Sequence, residues 1–171
     1  FDNANVTGRL NVGVVAGTPY TSKYTDVKVT GHVEVNGMAY VGGVGGKNAY
    51  ANWTDITVDV DETSYVKATS TENGNAYRTY VGGVIGFNGE GSHTFQNISS
   101  NIKVIGDVMD IGGIFGILHY GNNAEDITFT GAVEAPADAK EVGGIAGVWH
   151  NQQGQVVTIN NAKSEGTVTV G

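Results

Sequence analysis

A six-residue glycine pattern that recurs five times is the feature that most constrains the fold. Its copies are Val12–Gly17, Val41–Gly46, Val81–Gly86, Ile111–Gly116 and Val142–Gly147. Their first glycines lie 29, 40, 30 and 31 residues apart. A fixed period of about 20–50 residues is typical of stacked repeats, in which one unit cannot bury its own apolar side alone. The sequence therefore predicts a unit of about 30 residues, repeated about five times.

A second pattern alternates with the first and begins with Asp or Asn before a mostly apolar residue. Its copies start at Asn3-Ala4, Asp26-Val27, Asp55-Ile56, Asn97-Ile98, Asp126-Ile127 and Asn161-Ala162. Four of them have an aromatic residue two positions earlier, namely Phe1, Tyr24, Trp53 and Phe95. In stacked strands equivalent residues lie about 4.8 Å apart. We therefore expect an aromatic ladder, and a column of Asp and Asn side chains at turns.

Composition favours strands over helices. Val, Ile and Thr supply 52 residues and Leu only 2, and β-branched residues suit a pleated surface. We predict one all-β domain over residues 1–171, a right-handed parallel β-helix (β-solenoid) of about five turns. A β-sandwich or barrel is the alternative. Two inward ladders should follow from the stacking: Val12, Val41, Val81, Ile111 and Val142, and Val15, Val44, Val84, Ile114 and Ile145.

The long spacing between the second and third copies of the glycine pattern indicates an insertion. The extra residues fall near 61–79, where the sequence is polar. Long connections of repeat proteins gather on one side of the stack. We predict a projecting loop or hairpin there.

The recurring Val-Gly-Gly-Val/Ile-x-Gly, followed by Asp/Asn and an apolar residue, resembles the GLUG motif repeat. The match is clearest at Gly42–Gly46, Gly82–Gly86, Gly112–Gly116 and Gly143–Gly147, and in the second half at Asn3–Leu10 and Asn161–Val168. Such repeats are found in secreted and surface proteins of bacteria, including adhesins and non-catalytic regions of immunoglobulin A-cleaving metallopeptidases. The resemblance implies a β-helical, non-catalytic segment located outside the cell or at the bacterial cell surface.

The charge and the residue composition limit the kinds of partner and chemistry that we expect for this chain. The formal net charge is −8, with 9 basic residues and no basic run, so we expect no nucleic-acid partner. No apolar run approaches the ~20 residues of a membrane span, so we expect no membrane insertion. The absence of cysteine excludes disulfides and thiolate chemistry. Because the chain begins at Phe1 within a repeat, we expect it to be an excerpt of a larger polypeptide.

Candidate binding residues lie just after the last two glycine patterns. His119 and His150 each follow a closing glycine by three positions, so we expect them to be neighbours on adjacent turns. Two imidazoles placed so could share a metal or line a binding surface, but no third ligand is evident and we expect exposed turn histidines. Trp149, His150, His119 and Tyr120 belong to the richest polar-aromatic cluster, formed by residues 149–153 and 119–123. This composition suits a sugar-binding surface.

Two groups of carboxylates have spacings that could support chemistry. Asp110 and Glu141 both precede a Val/Ile-Gly-Gly segment and should stack, and paired carboxylates about 5 Å apart serve retaining glycosidases. Asp55, Asp59, Asp61 and Glu62 crowd within eight residues and could hold calcium, although no calcium-loop motif is present. We expect solvated positions in both cases, with no cofactor and no catalytic residue.

The function expected from the sequence is a non-catalytic, adhesin-like repeat scaffold. It would bind a host glycan or protein surface, or act as a spacer in a larger bacterial protein. One alternative is a polysaccharide hydrolase or lyase of the β-helix type. Another is an accessory domain of a secreted metallopeptidase, although none of the four histidines has His-Glu-x-x-His spacing.

Overall fold

The computed structural model describes residues 1–72, 75–76, 78–89, 91–152 and 154–171. The chain forms a parallel β-solenoid of about five turns, with roughly 31 residues between equivalent positions. Among the described residues there is no helix, and therefore none with the length and apolarity needed to cross a bilayer.

Four complete turns each contribute one strand to each of four faces. The first face contains the N-terminal half of β2 (Lys23–Gly37), β5 (Asn52–Val60), β11 (Thr94–Ser100), β15 (Asn123–Phe129) and β19 (Thr158–Ser164). The second face contains β1 (Asp2–Thr7), the C-terminal half of β2, β6 (Tyr65–Ala68), β12 (Lys103–Ile105), β16 (Ala132–Ala135) and β20 (Thr167–Val170). The third face contains β3 (Tyr40–Gly42), β9 (Tyr80–Gly82), β13 (Met109–Gly112) and β17 (Lys140–Gly143). The fourth face contains β4 (Gly45–Asn48), β10 (Ile85–Asn88), β14 (Phe115–His119) and β18 (Ala146–His150). Strands β1, β19 and β20 belong to incomplete turns.

Both predicted inward ladders are confirmed. Val12, Val41, Val81, Ile111 and Val142 pair in register from turn to turn on the third face. Backbone hydrogen bonds link the second ladder in the same order, from the amide of Val15 to the carbonyl of Val44 and on to Ile145. The middle members of both ladders have no exposed surface. The core is thus a column of β-branched side chains, and the repeat period sets its register.

Glycine is required where the third and fourth faces approach each other. A Cβ atom on Gly42 would lie 2.2 Å from the carbonyl oxygen of Gly45. One on Gly86 would lie 2.5 Å from the backbone nitrogen of Val41, in the preceding turn. Real Cβ atoms do not approach backbone so closely, and hence only glycine lets the two faces pack together. This close approach explains the recurrence of the glycine pattern.

The aromatic ladder forms on the first face, but without Phe1. Tyr24 stacks on Trp53 with ring centroids 4.1 Å apart, and Phe95 pairs with Trp53 in register. The prediction for Phe1 was wrong, because β1 pairs with the C-terminal half of β2, with Ala4 opposite Val33. Nine residues separate Asn3 from Val12, against fifteen between Asp26 and Val41. The shorter spacing places the Asn3-Ala4 copy on the second face.

We had expected the column of Asp and Asn side chains at turns between strands. It lies instead within the strands of the first face. Its five members, Asp26, Asp55, Asn97, Asp126 and Asn161, all have positive φ values between 50° and 56°. Asp and Asn tolerate this left-handed conformation better than other non-glycine residues. The side-chain amide of Asn97 donates to the carboxylate of Asp55 at 2.6 Å, and Asn161 donates to Asp126. The column therefore bends each strand of the first face at the equivalent residue. Its side-chain hydrogen bonds link two pairs of adjacent turns.

The insertion is shorter than predicted. Tyr65–Ala68 forms strand β6 of the second face, paired with β2 and β12, and its Val66 and Ala68 are buried. The extra chain follows this strand and contains an antiparallel hairpin of β7 (Thr71–Glu72) and β8 (Asn75–Ala76). Asn73, Gly74 and Tyr77, which belong to the predicted insertion, lie outside the described residues. A hairpin is therefore confirmed, whereas residues 61–68 belong to a regular turn of the solenoid and not to the insertion.

Candidate functional site

The third and fourth faces approach each other along a line that we call the seam. It consists of Tyr40, Tyr80, Asp110 and Glu141 on the third face and Lys47, Phe87, Ile117 and Val148 on the fourth. Each residue of the first set directly precedes a Val/Ile-Gly-Gly segment, and each of the second directly follows a closing glycine. Because the glycines bring the two faces together, the side chains on either side of the pattern converge on one line.

Three aromatic rings form the centre of the seam. Tyr40 and Tyr80 stack with centroids 5.3 Å apart, and Phe87 packs edge-on against them at 5.2 and 5.0 Å. The ammonium nitrogen of Lys47 lies 5.3 Å from the ring centroid of Tyr40, within cation–π range. All three rings are half-buried. Their exposed parts form a rigid aromatic patch that crosses two turns of the coil.

Two cavities flank this patch. One of about 530 Å³ lies beside Lys47 and Phe87 and is also lined by Tyr20 and Tyr50. The other, of about 300 Å³, lies between Tyr80 and Val148 and includes Arg78, Glu141 and both histidines of interest. His119 lines both cavities, and its ring centroid lies 5.3 Å from that of Phe87. The patch and its cavities therefore form one continuous concave surface.

An ion-pair cluster lies in the smaller cavity. The guanidinium Nε of Arg78 donates to the carboxylate of Asp110 at 2.8 Å, and its Nη2 lies 3.5 Å from the carboxylate of Glu141. Burial raises the pKa of Asp110 to about 6; the hydrogen bond from Arg78 opposes this shift, and Glu141 adds to it. The stacking predicted for Asp110 and Glu141 is thus observed. The solvated position expected for Asp110 was wrong, because its side chain has no exposed surface.

His119 and His150 are neighbours, as predicted from their spacing. They pair in register on β14 and β18, with their Nδ1 atoms 3.2 Å apart. The ring of Tyr120 contacts both imidazoles at 6.0 Å between centroids, but Tyr120 itself is buried. Tyr120 therefore supports the histidines from inside and does not form part of the exposed surface.

Trp149 lies apart from the two histidines. It pairs in register with Leu118, a fully buried residue, whereas His150 pairs with His119. Successive side chains of a strand point to opposite faces, so Trp149 and His150 diverge. Half of Trp149 is exposed, and its strand β18 lies at the edge of the fourth face among the described strands. Gln153, the last residue of the predicted cluster, lies outside the described residues.

Three of the four carboxylates considered for calcium accept hydrogen bonds from different side chains. Asp55 accepts from Asn97, Asp59 from Asn101, and Asp61 from Thr63 and Ser64. Asp61 also contacts His32 at 3.2 Å, and the hydrogen bond from Thr63 is the main cause that lowers the pKa of Asp61 to about 2. No group of three or more His, Asp or Glu side chains in the described part of the chain is arranged to hold a metal ion.

The aromatic half of the seam was not predicted from the sequence. Tyr40, Tyr80, Lys47 and Phe87 were not identified as candidates, although the first two share a repeat column with Asp110 and Glu141. The available signal was position: each residue lies immediately outside the glycine pattern. This position predicts a shared surface only when the close approach of the third and fourth faces is already known.

Comparisons with known proteins add one relative. Halomucin of Haloquadratum walsbyi (strain DSM 16790 / HBSQ001) is 29% identical over 149 residues, which cover 82% of this chain. The chain spans only 2% of the length of Halomucin. That organism is an archaeon, so this relative does not support the bacterial origin that the motif resemblance implies. No protein-family model matches the chain. No solved structure matches it either.

Proposed function

We propose that this chain is a non-catalytic segment of a secreted or cell-surface scaffold that binds glycans along the seam. The observation that carries the proposal is the packed patch of Tyr40, Tyr80 and Phe87, partly exposed between two cavities. Exposed aromatic patches rimmed by polar groups mark interaction sites. A pyranose ring offers an apolar C–H face for an aromatic ring and hydroxyl groups for the polar rim.

The chemistry around the patch favours an uncharged sugar. Lys47 and Arg78 supply hydrogen-bond donors at either side, and Glu141 supplies acceptors. The positive charge of Arg78 is balanced by Asp110 and Glu141. With a net charge of −8 the protein as a whole repels polyanions. Neutral oligosaccharides are therefore the expected ligands, and acidic polysaccharides are not.

The scaffold part of the proposal rests on the solenoid and on the comparison with Halomucin. A stack of in-register turns is stiff along its axis and presents the same columns at a fixed spacing. The similarity covers most of this chain but a very small part of Halomucin, which is compatible with one segment of a much longer polypeptide. Secretion, adhesion and a bacterial origin come from the motif resemblance.

A glycan array tests the proposal. We expect the 171-residue chain to bind a subset of neutral glycans, and Tyr80→Ala and Phe87→Ala each to weaken that binding. Tyr65→Ala is the matched control, because Tyr65 is a partly exposed tyrosine on the second face, away from the seam. Binding that survives both seam substitutions, or no binding to any glycan, would contradict the proposal.

The enzyme alternative has one observation in its favour, the paired carboxylates Asp110 and Glu141, of which the first has a raised pKa. It predicts that incubation with a bound polysaccharide releases shorter products and that Asp110→Asn stops the release while binding remains. The scaffold proposal predicts unchanged polysaccharide with both proteins. Product analysis by mass spectrometry distinguishes the two.

A further inference from the structure

We propose that His119 and His150 form a binding site for a divalent late transition-metal ion, Cu²⁺ most tightly and Zn²⁺ or Ni²⁺ more weakly. The proposal does not rest on glycan binding, although His119 lines both cavities beside the aromatic patch. Imidazole nitrogen is a preferred ligand of these three metals, and site affinities generally follow the order Ni²⁺ < Cu²⁺ > Zn²⁺.

The separation of the two nitrogens fits a shared ion. Ligand nitrogens about 2.0–2.1 Å from one ion lie about 2.9 Å apart at a right angle and about 3.4 Å apart at the tetrahedral angle. The Nδ1 atoms of His119 and His150 lie 3.2 Å apart, between these limits. Without metal the same distance accommodates an N–H···N hydrogen bond between two neutral imidazoles. A metal ion would replace the shared proton, and each ring would rotate so that its Nδ1 lone pair points at the ion.

The two rings are already held in position. His119 and His150 lie on adjacent parallel strands in register, which fixes the spacing of their backbones. The ring of Phe87 contacts His119, and the buried ring of Tyr120 contacts both imidazoles. Rings fixed by packing lose little conformational freedom when a metal binds, which favours binding.

The surroundings tolerate a cation. Arg78 is the cation of the smaller cavity, and its charge is paired with Asp110 at 2.8 Å and Glu141 at 3.5 Å. The three side chains together carry a net charge of −1 when both carboxylates are ionised. Within the described part of the chain no third His, Asp or Glu completes a ligand set. We expect water to supply the remaining ligands, so that the ion would be exchangeable.

Titration of the 171-residue chain with Cu²⁺, followed by electron paramagnetic resonance, tests the site directly. We expect one Cu²⁺ per chain with nitrogen hyperfine structure from two imidazoles. His119→Gln and His150→Gln should each weaken binding by at least the roughly 10–100-fold that loss of an outer-shell partner costs. His32→Gln is the matched control, because His32 is an exposed histidine already in contact with two carboxylates, and it should leave the signal unchanged.

A thermal-shift measurement with Zn²⁺ keeps the proposal testable if a variant is less stable. Each protein is compared with its own metal-free Tm, and only binding to the folded state raises that value. We expect a concentration-dependent rise for the wild-type chain and for His32→Gln, and none for His150→Gln. The proposal is overturned if Cu²⁺ binding persists in the His119→Gln, His150→Gln double variant, since the ion would then lie at another group, such as His32 or the amino terminus. A wild-type chain that binds neither metal also overturns it.

Discussion

The rings of Tyr40 and Tyr80 stack at 5.3 Å between centroids with an angle of 12° between their planes, although 40 residues separate them in the chain. The hairpin insertion lies between these two residues, yet it does not shift the register of the next turn. The register is set by the packing of the faces and not by the length of the connection. The seam is therefore a property of the coil, and loops of different length leave it intact.

The first prediction concerns the glycines that bring the third and fourth faces together. Gly86→Ala should destabilise the fold by about 1–3 kcal/mol or more, the cost of inserting a methyl group into close-packed backbone. The added Cβ would lie 2.5 Å from the nitrogen of Val41. Gly89→Ala is the control, because its added Cβ has no neighbour closer than 3.6 Å, and it should change stability by less than about 0.5 kcal/mol. Urea unfolding measures both, and equal effects would contradict the close approach of the faces.

A second prediction concerns a buried amide ladder beneath the fourth face. The Asn48 side chain accepts from the indole Nε1 of Trp53 at 3.2 Å and donates to the Asn88 side chain at 2.7 Å. Asn48→Ala leaves a buried donor and a buried acceptor without this partner, and each unsatisfied group costs about 1–3 kcal/mol.

The control for Asn48 is Asn36→Ala. Asn36 is only partly buried, and its side-chain amide makes a long hydrogen bond of 3.4 Å to the hydroxyl of Tyr65. We expect this substitution to have little effect on the free energy of unfolding. A loss in Asn36→Ala as large as that in Asn48→Ala would show that burial of the ladder is not the cause.

The third prediction concerns the pH dependence of stability that arises from Asp110. Its pKa of about 6 in the folded protein lies above the ordinary value of 3.8, so the folded state holds the proton more tightly than the unfolded chain. The contribution of this group to stability is therefore greatest below about pH 4 and falls as the pH rises to about 6.

The stability difference between the wild-type chain and Asp110→Asn should follow that decline when unfolding is measured from pH 4 to 7. Arg78→Met removes the hydrogen bond that opposes the shift, so in that variant the pKa of Asp110 should rise and the decline should extend to higher pH. A difference between wild-type and Asp110→Asn that does not change with pH would show that burial does not govern this carboxylate.

A fourth prediction concerns His32, whose ring nitrogens contact Asp61 at 3.2 Å and Glu34 at 3.3 Å. Both hydrogen bonds raise the pKa of His32 above 6.5, and the one with Asp61 has the larger effect. Stability from this group is therefore complete below pH 6.5 and is lost as the pH rises through the folded-state pKa. An NMR titration of the His32 ring should show the raised pKa, and Glu34→Gln should lower it. A His32 pKa at or below 6.5 in the wild-type chain contradicts the contact geometry.

The repeat frame made most of the fold predictable, because in-frame Val, Ile and Gly positions fix both the period and the inward side of each strand. The Asn3-Ala4 copy was assigned to the wrong face because its local pattern matches the other copies. Its face depends instead on the number of residues between it and Val12. Residues 65–68 were assigned to the insertion because the spacing between repeats gives the length of the extra chain but not its position.

The candidate site was only partly predictable for a different reason. The proximity of His119 and His150 follows directly from their equal offsets from the glycine pattern. The seam depends on the angle at which the chain turns between the third and fourth faces, and no spacing in the sequence encodes that angle.

The most direct test of the glycan-binding seam is an aromatic ¹H–¹³C NMR titration of the 171-residue chain with a neutral oligosaccharide that binds in the array. We predict saturable shifts at Tyr40, Tyr80 and Phe87, with Tyr24 and Tyr65 unchanged. Saturable binding that leaves the three seam rings unperturbed and shifts resonances on another face would contradict the account.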